Sequence, residues 1–468
     1  MAQIPILSGI YTDNNSDFRT AYPRNYVPVM KTTGISEGYL RPSEGIVEFG
    51  TGPGTDRGGI NWNGVCYRVM GSKLVSIAVD GTTTTLGDVG DDGQSVTLDY
   101  SFDRLAIASN GKLFYWNGAT LTQVTDPDLG TVVDMIWVDG YFMTTDGEYL
   151  IVTELSDPTQ VNPLKYGSSE ADPDPVKALI KLRNEPYALN RNTIEVYQNV
   201  GGDLFPFQRI EGAQMMRGTV GSHTCCLFIE AIAFVGGGRN EAIAVWLGAN
   251  GQTTKISTRE IDQILSTFSE TELSECVLES RVYNSFQHLY LQLPDQTWVY
   301  DAAGSQIAGQ PIWFQLTSSI VGLGQYRARN FVYCYDKWLC GDPTTAKHGY
   351  MTDAVSSHYG DLIGWELYTM IVYNEGKGAI FHDLELICLT GRAALGDDPI
   401  IWTSYSLDGL SWSQERPRVA GRQGQTLKRL NWLQQGYMRT WRIQKFRGTS
   451  DAHLAIARIE AQLEPCNV

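Results

Sequence analysis

The side chains able to do chemistry are scattered along the chain rather than gathered. The six histidines, His223, His288, His348, His358, His382 and His453, form no HxxxH or HxH pair. The eight cysteines, at 66, 225, 226, 276, 334, 340, 388 and 466, form no CxxC pair. A zinc ion needs ligands that a short loop can bring onto one tetrahedron, and this spacing does not offer them. Neither GxxxxGK[ST] nor a GxGxxG that opens a helix is present, so no loop is built to cradle phosphate. The Gly236–Gly238 run sits between strand-like segments and reads as a hairpin turn. No GxSxG nucleophile elbow occurs. Carboxylates cluster in GDVGDDGQS (87–95) and ADPDP (171–175), without the D-x-D-x-D-G spacing that converges oxygens on calcium. They read as solvated loops. β-Rich scaffolds can host glycosidases that use paired carboxylates, and spacing alone does not show whether two carboxylates here face each other. The expectation is no catalytic residue, no cofactor and no metal.

Composition bounds the class of protein. The chain has 468 residues, enough for two or three domains, with 43% hydrophobic and 19% charged residues. Net charge is −16, which argues against gripping nucleic acid by neutralising phosphates. It allows a wall that DNA slides past. The first residues, MAQIPILSGIYTDNNSDF, lack a basic stretch followed by an apolar one, and no run approaches about 18 apolar residues. Neither a secretory signal nor a membrane span is expected. Scattered cysteines then read as reduced thiols in a chain folded in a cytosol.

The elements are mostly strands. From about residue 60 a unit of strand, polar turn and strand recurs, starting at Val65, Arg104, Gly140, Glu185, Ala231, His288 and Lys337. The steps are 39, 36, 45, 46, 57 and 49 residues. The turns at Asn110-Gly111 and Asp146-Gly147 supply the positive φ that tight hairpins require. One hairpin cannot bury its apolar face, and recurrence at 40 to 50 residues is the spacing of propeller blades. Seven blades are expected, or six with one hairpin used elsewhere; a string of sandwich domains is the alternative. Residues 257–277 carry Ile261, Ile264 and Leu265 at helical spacing. Ser257 with Glu260, and Ser269 with Glu272, each read as a capping box, predicting two short helices.

The ends differ in texture. Residues 1–45 show no clean period and are expected as an extended N-terminal arm packed on something else, or as a loop-rich start to the first domain. The β-propeller is expected over 46–358 and a C-terminal β-sandwich over 359–468, where strands lengthen. Residues 375–468 hold 12 basic against 10 acidic residues, +2, so the rest carries 24 against 42, −18. The basic residues Arg416, Arg418, Arg422, Lys428, Arg429, Arg439, Arg442, Lys445 and Arg447 form a possible protein interface. They would meet an acidic neighbour, or serve only to protect strand edges with charge. Asp408-Gly409 makes a tight turn, after which Trp412 is expected to pack back on the sandwich.

In order along the chain stand Tyr26-Val-Pro-Val29, Gly38-Tyr-Leu-Arg41, Gly45-Ile46, Arg57-Gly58, Tyr67-Arg-Val69 with Gly71 and Lys73-Leu74, and Gly87-Asp-Val89. The paired helices, Val299-Tyr-Asp301, Cys340-Gly-Asp342 and Asp408-Gly409 followed by an aromatic come next. This collinear set resembles the packaged DNA stabilisation, or tail hub, proteins of short-tailed, tailspike-bearing bacteriophages. The resemblance implies a structural virion protein made in the bacterial cytoplasm: a homo-hexameric ring below the portal and its adaptor (head-to-tail) protein. That ring would close the DNA channel, retain the packaged genome, receive the tail needle and border the tailspikes, with genomic DNA passing without sequence-specific binding. It carries over no catalytic residue. The acidic GDVGDDG loop and the hairpin turn lengths depart from the family pattern. A carbohydrate-binding or carbohydrate-active propeller of a phage tail is the alternative.

Overall fold

The computed structural model describes residues 2–12, 17–31, 37–202 and 204–466. It is an all-β protein with a β-propeller followed by a β-sandwich. Seven antiparallel sheets form the propeller. Blades one to four are the sheets over 56–88, 97–123, 134–168 and 176–209. Blade five spans 218–255 with a fifth short strand, and blade six spans 277–316. Each of the seven hairpins legible in the sequence supplies the two middle strands of one blade. The turn at Asn110 (φ 51) and Gly111 (φ 68) has the left-handed backbone that joins such strands tightly.

Blade seven closes the ring with a strand from the other end of the propeller. Its first three strands are Arg329–Cys334, Lys337–Gly341 and Lys347–Thr352, and its outermost is Gly45–Thr51. Backbone bonds to a strand about three hundred residues away thus lock the ring. The approach is close: Gly81 (φ 89) packs so tightly on Phe49 that a Cβ there would lie 1.9 Å from the Phe49 carbonyl oxygen.

The sandwich draws on both chain ends. One sheet runs Tyr26–Met30, Gly38–Pro42, Ile456–Pro465, Ala379–Cys388 and Leu430–Leu433, with Ala2–Ile4 also paired to Ile456–Pro465. The other runs Gly364–Tyr368, Trp441–Thr449, Ile400–Ser406 and Arg416–Val419. Leu40, Leu384, Ile401, Phe446 and Ile459 meet between them, all fully buried. Tyr26 is anchored there, donating from its hydroxyl to the Leu454 carbonyl at 2.8 Å and meeting Trp365 edge-on at 5.1 Å. Trp412 packs on Tyr368 of this domain at 5.5 Å.

The described part of the N-terminal stretch expected as an arm therefore packs on its own chain. Beyond its strands in the sandwich, Thr20 and Tyr22 reach the helix Arg259–Leu265: the Thr20 amide donates to Glu260 at 3.0 Å, and the Tyr22 hydroxyl lies 2.6 Å from Thr258 Oγ1. Asn25 then fixes propeller to sandwich, donating to the Thr317 and Gly364 carbonyls at 2.9 and 2.7 Å. The paired capping boxes are half right. Ser269 and Glu272 form one on the helix Glu270–Ser274. The first helix has Thr258 at its N-cap instead; Ser257 is spent on Asp262 at 2.6 Å, and Glu260 on the N-terminal segment. Gly236 and Gly237 end the strand Ala231–Gly237, so the hairpin turn lies just beyond them.

Candidate functional site

Two regions carry groups that could act on a partner: the propeller axis and the basic stretch of the sandwich. At the axis the first strands of the seven blades stand side by side, and side chains stitch each to its neighbour. Asp99 of blade two accepts from the Trp137 amide of blade three at 2.6 Å. Asp134 of blade three accepts from Thr97 of blade two at 2.6 Å and from the Leu179 amide of blade four at 2.7 Å. Lys181 of blade four donates back to the Trp137 carbonyl at 2.7 Å. Ser280 of blade six donates to the Leu227 carbonyl of blade five, and Glu279 accepts from the Phe331 amide of blade seven.

The seam between blades seven and one is held by a buried ion pair. Arg68 grips Asp56 at 2.7 and 2.8 Å with both side chains fully buried, and Asn330 of blade seven donates to the same carboxylate at 2.6 Å. Burial alone would pull this guanidinium down; the Asp56 charge outweighs it and holds it up. A second pair, Arg281 on Glu44 at 2.6 and 2.9 Å, ties the strand entering the propeller to blade six.

These carboxylates hold structure. Burial pushes Asp134 up to about 6 and Glu279 up to about 7, while their backbone hydrogen bonds oppose the shift. The histidines are pushed the other way. His288, enclosed by Tyr283, Phe286, Tyr290 and Phe314, is brought down to about 3 by burial. Burial lowers His358 to about 3 and His348 and His223 to about 4. Among the described residues no three His, Cys, Asp or Glu side chains gather as metal ligands would. Burial raises the Cys276, Cys340 and Cys388 thiols to about 12, away from the reactive thiolate.

The acidic loops have internal uses. Arg57 inserts under the 87–95 loop, donating to the Gln94 and Gly90 carbonyls at 2.6 and 2.8 Å and pairing with Asp92. In the 171–175 loop Asp174 accepts from the Asn192 amide at 2.5 Å, and Asp172 pairs with Arg239. At the rim of the axis a polar cavity of about 210 Å³ is lined by Asp92, Ser109, Asn110, His223 and Glu275, among others.

The nine basic residues of the sandwich part company. Arg416 and Arg418, exposed on the edge strand, donate to the Gln434 and Asn431 carbonyls at 2.7 and 2.8 Å, clipping one sheet to the other. Arg422 pairs with Asp398, Arg429 with Glu385 and Arg447 with Glu415. Lys445 lies 4.8 Å over Trp412, Lys428 is half-exposed and Arg439 exposed. Arg442, expected at an interface, is inside the sandwich instead, 1% exposed. It lies 3.8 Å over Tyr405 and 4.2 Å over Phe381, and donates to Gln444 and the Gln435 carbonyl. Strand alternation puts it on one face with Gln444 and Phe446, so its charge serves the core.

Sequence reasoning also missed an apolar feature. Loops 389–399 and 420–429 are joined by the bonds Ala420 N to Pro399 O at 2.7 Å and Gly424 N to Gly391 O at 3.0 Å. On them Leu395 and Leu427 stand 88% and 94% exposed. In the sequence each is a single leucine, Leu395 between Ala394 and Gly396 and Leu427 between Thr426 and Lys428, which looks like any loop.

A family model described as bacteriophage P22 Gp10, beta-propeller, matches residues 2–356, and one described as bacteriophage P22 Gp10, beta-sandwich, matches 364–464. The tail hub protein gp10 of Salmonella phage P22 is 26% identical over 486 residues of alignment, covering 99% of each chain. Among solved structures, the Neurospora crassa Pan2 WD40 domain matches with TM-score 0.43 and 9% identity, over 69% of this chain and 97% of that one. The N-terminal domain of Nup159 matches with TM-score 0.41 and 9% identity, over 69% and 99%.

Proposed function

The chain belongs to the bacteriophage P22 Gp10 family, structural proteins of the phage tail rather than enzymes, and from that premise we propose that it is the tail hub that seals the DNA channel. Six copies form a ring under the portal and its adaptor protein, retain the packaged genome, receive the tail needle and border the tailspikes. Synthesis in the host cytoplasm precedes its addition to the DNA-filled head. The observation that carries this reading is the match of both domains, in order, over essentially the whole chain.

Physical features support it. A propeller whose blades are stitched at the axis and whose ring is locked by a terminal strand resists shear. In this reading duplex DNA runs through the hole enclosed by the ring of subunits, not through a propeller. The charge of −18 on residues 1–374 lets phosphate slide past. The basic residues of the sandwich that reach the surface in whole or in part, Arg416, Arg418, Arg422, Lys428, Arg429, Arg439 and Lys445, serve as protein interface.

The test uses DNA-filled heads that carry portal and adaptor but lack this protein. Adding the purified chain should return the packaged DNA to nuclease protection, with six copies per particle. Heads that keep their full genome without it would refute the sealing role.

A further inference from the structure

The outer strand of blade three, Val161–Ser168, leaves its ladder further than that of any other blade. Tyr166 opposes Ile151 and Val161 opposes Thr153, so four residues, Asn162-Pro-Leu-Lys165, span the place of one. The outer strands of blades two, four, five and six pair without interruption. Those of blades one and seven carry a single extra residue each. A bulge re-aims side chains and often borders a functional site. Here it also spoils the edge for strand addition by another protein, because the ladder is broken and Pro163 has no N–H to give.

Behind the excursion lies a groove of about 210 Å³ between the outer half of blade three and the turn Pro127–Leu129 that leads into it. The turn is pinned to the strand: Asp126 accepts from the Asp128 and Val161 amides, both at 3.0 Å. The floor is aromatic. Tyr149 and Ile151 share a face by alternation, and Tyr166, opposite Ile151, joins them. The two tyrosine rings meet at 5.2 Å and 85°, and Tyr166 is 52% exposed.

Hydrogen-bonding groups of both kinds surround this floor. The exposed Asp128 carboxylate accepts nothing from the described residues. Of Asp146 only Oδ1 is engaged, by the Glu148 and Tyr149 amides at 2.9 and 2.7 Å. Asn162 uses its Oδ1 for the Leu164 amide at 3.0 Å, which leaves its amide N–H groups to donate. Lys165 spends one N–H on Glu154 at 2.8 Å and keeps others. A cation would be served by acceptors alone and an anion by donors alone, and Lys165 beside Asp128 and Asp146 suits neither. A sugar hydroxyl donates and accepts at once, and the C–H groups of a pyranose lie well on the π-face of an aromatic ring. The groove is smaller than the roughly 300–1,000 Å³ of pockets that enclose drug-sized ligands, which suits one ring.

We propose that this groove binds one pyranose ring of a glycan, with Tyr166 under the ring and Asp128, Asp146, Asn162 and Lys165 on its hydroxyls. The site goes beyond the sealing role and does not depend on it. A single ring held at an open groove binds in the millimolar range. In a ring of subunits the groove recurs on every copy, and simultaneous engagement of a repeating polysaccharide raises avidity by about 10²–10⁴-fold without a new contact. That last consequence alone rests on the hub reading.

Saturation-transfer NMR on the purified, unassembled full chain tests the site. The probes are the methyl pyranosides of glucose, galactose, mannose, rhamnose and N-acetylglucosamine, with tetramethylammonium as a cationic comparison. At least one glycoside should receive saturation, most strongly at ring protons of one face. Its apparent Kd should rise about tenfold in Tyr166→Ala, and also rise in Asp128→Asn. Tyr166→Phe, which keeps the ring, should keep most of the binding. Both positions are exposed, so the variants should melt like the parent. No transfer to any of the glycosides overturns the proposal, and transfer to tetramethylammonium alone would reassign the groove to a cation. Binding that Tyr166→Ala and Asp128→Asn both leave unchanged places the sugar elsewhere and overturns it as well. Because the chain is unassembled, these outcomes are separate from the nuclease-protection test of the sealing role.

Discussion

Asp56→Asn tests whether the propeller is held shut at its seam by the buried ion pair. The substitution keeps the shape of the side chain and removes its charge. Arg68, fully buried, would keep only the carbonyls of Asn330 at 3.0 Å and Arg329 at 3.4 Å as partners for Nη2. Breaking a buried pair from one side costs about 3–5 kcal/mol because a desolvated charge is left uncompensated. The remaining carbonyls put this case near the lower end, about 3 kcal/mol. At roughly 2–4 °C per kcal/mol, that lowers Tm by about 6–12 °C. Adding Arg68→Met removes the stranded charge, and replacing both members of a buried pair is often close to neutral. The double variant should recover most of the loss. Urea unfolding followed by tryptophan fluorescence, with calorimetry for Tm, gives both numbers. A single variant within about 1 kcal/mol of the parent, or a double variant worse than the single, would refute the assignment of the seam to this pair.

Tyr26→Ala should cost about 3–5 kcal/mol by emptying a buried aromatic site, and Tyr26→Phe about 1–2 kcal/mol by leaving the Leu454 carbonyl without its donor. Limited proteolysis should then cut the sandwich before the propeller. Histidines held neutral by burial predict acid lability. His288 at about 3 and His348 at about 4 lie below the unfolded value near 6.5, so the unfolded chain binds more protons as pH falls. Their stabilisation is whole above pH 6.5 and drains below it by about 1.4 kcal/mol per pH unit for each group, until the folded value is reached. Asp134 and Glu279, raised to about 6 and 7, act oppositely and lose stabilisation as pH rises toward those values. His288→Phe should flatten the acid limb between pH 6 and about 4, read as unfolding free energy against pH; an unchanged slope would count against the neutral buried form.

What could be read from the sequence is what local chemistry encodes. The middle hairpin of every blade shows itself because alternation has period two and a tight turn needs Asn-Gly or Asp-Gly at a fixed place. The helix Glu270–Ser274 was equally plain, since a capping box involves residues three apart. The segregation of acidic and basic stretches, and the collinear family motifs, also lie in the order of residues alone. The first and last strands of the blades were harder. Outer strands such as Thr83–Asp88 and Leu121–Gln123 are polar and short, with little alternation to detect.

Tertiary structure alone decided the pairings between distant segments. Gly45–Thr51 completes blade seven, and Tyr26–Met30 with Gly38–Pro42 completes a sheet with Ile456–Pro465, because an open strand edge accepts any strand of suitable register. Backbone hydrogen bonds carry no residue code, so nothing in either segment announces its partner. Burial is likewise collective. Arg442 and Arg416 are both arginines of strands in one basic stretch, yet one is enclosed between rings and the other lies at an edge. Only the packing of a second sheet over the first distinguishes them. The seam of Arg68 and Asp56 has the same origin: the sequence supplies two opposite charges twelve residues apart, and the closing of blade seven against blade one removes the water that would otherwise have made them ordinary.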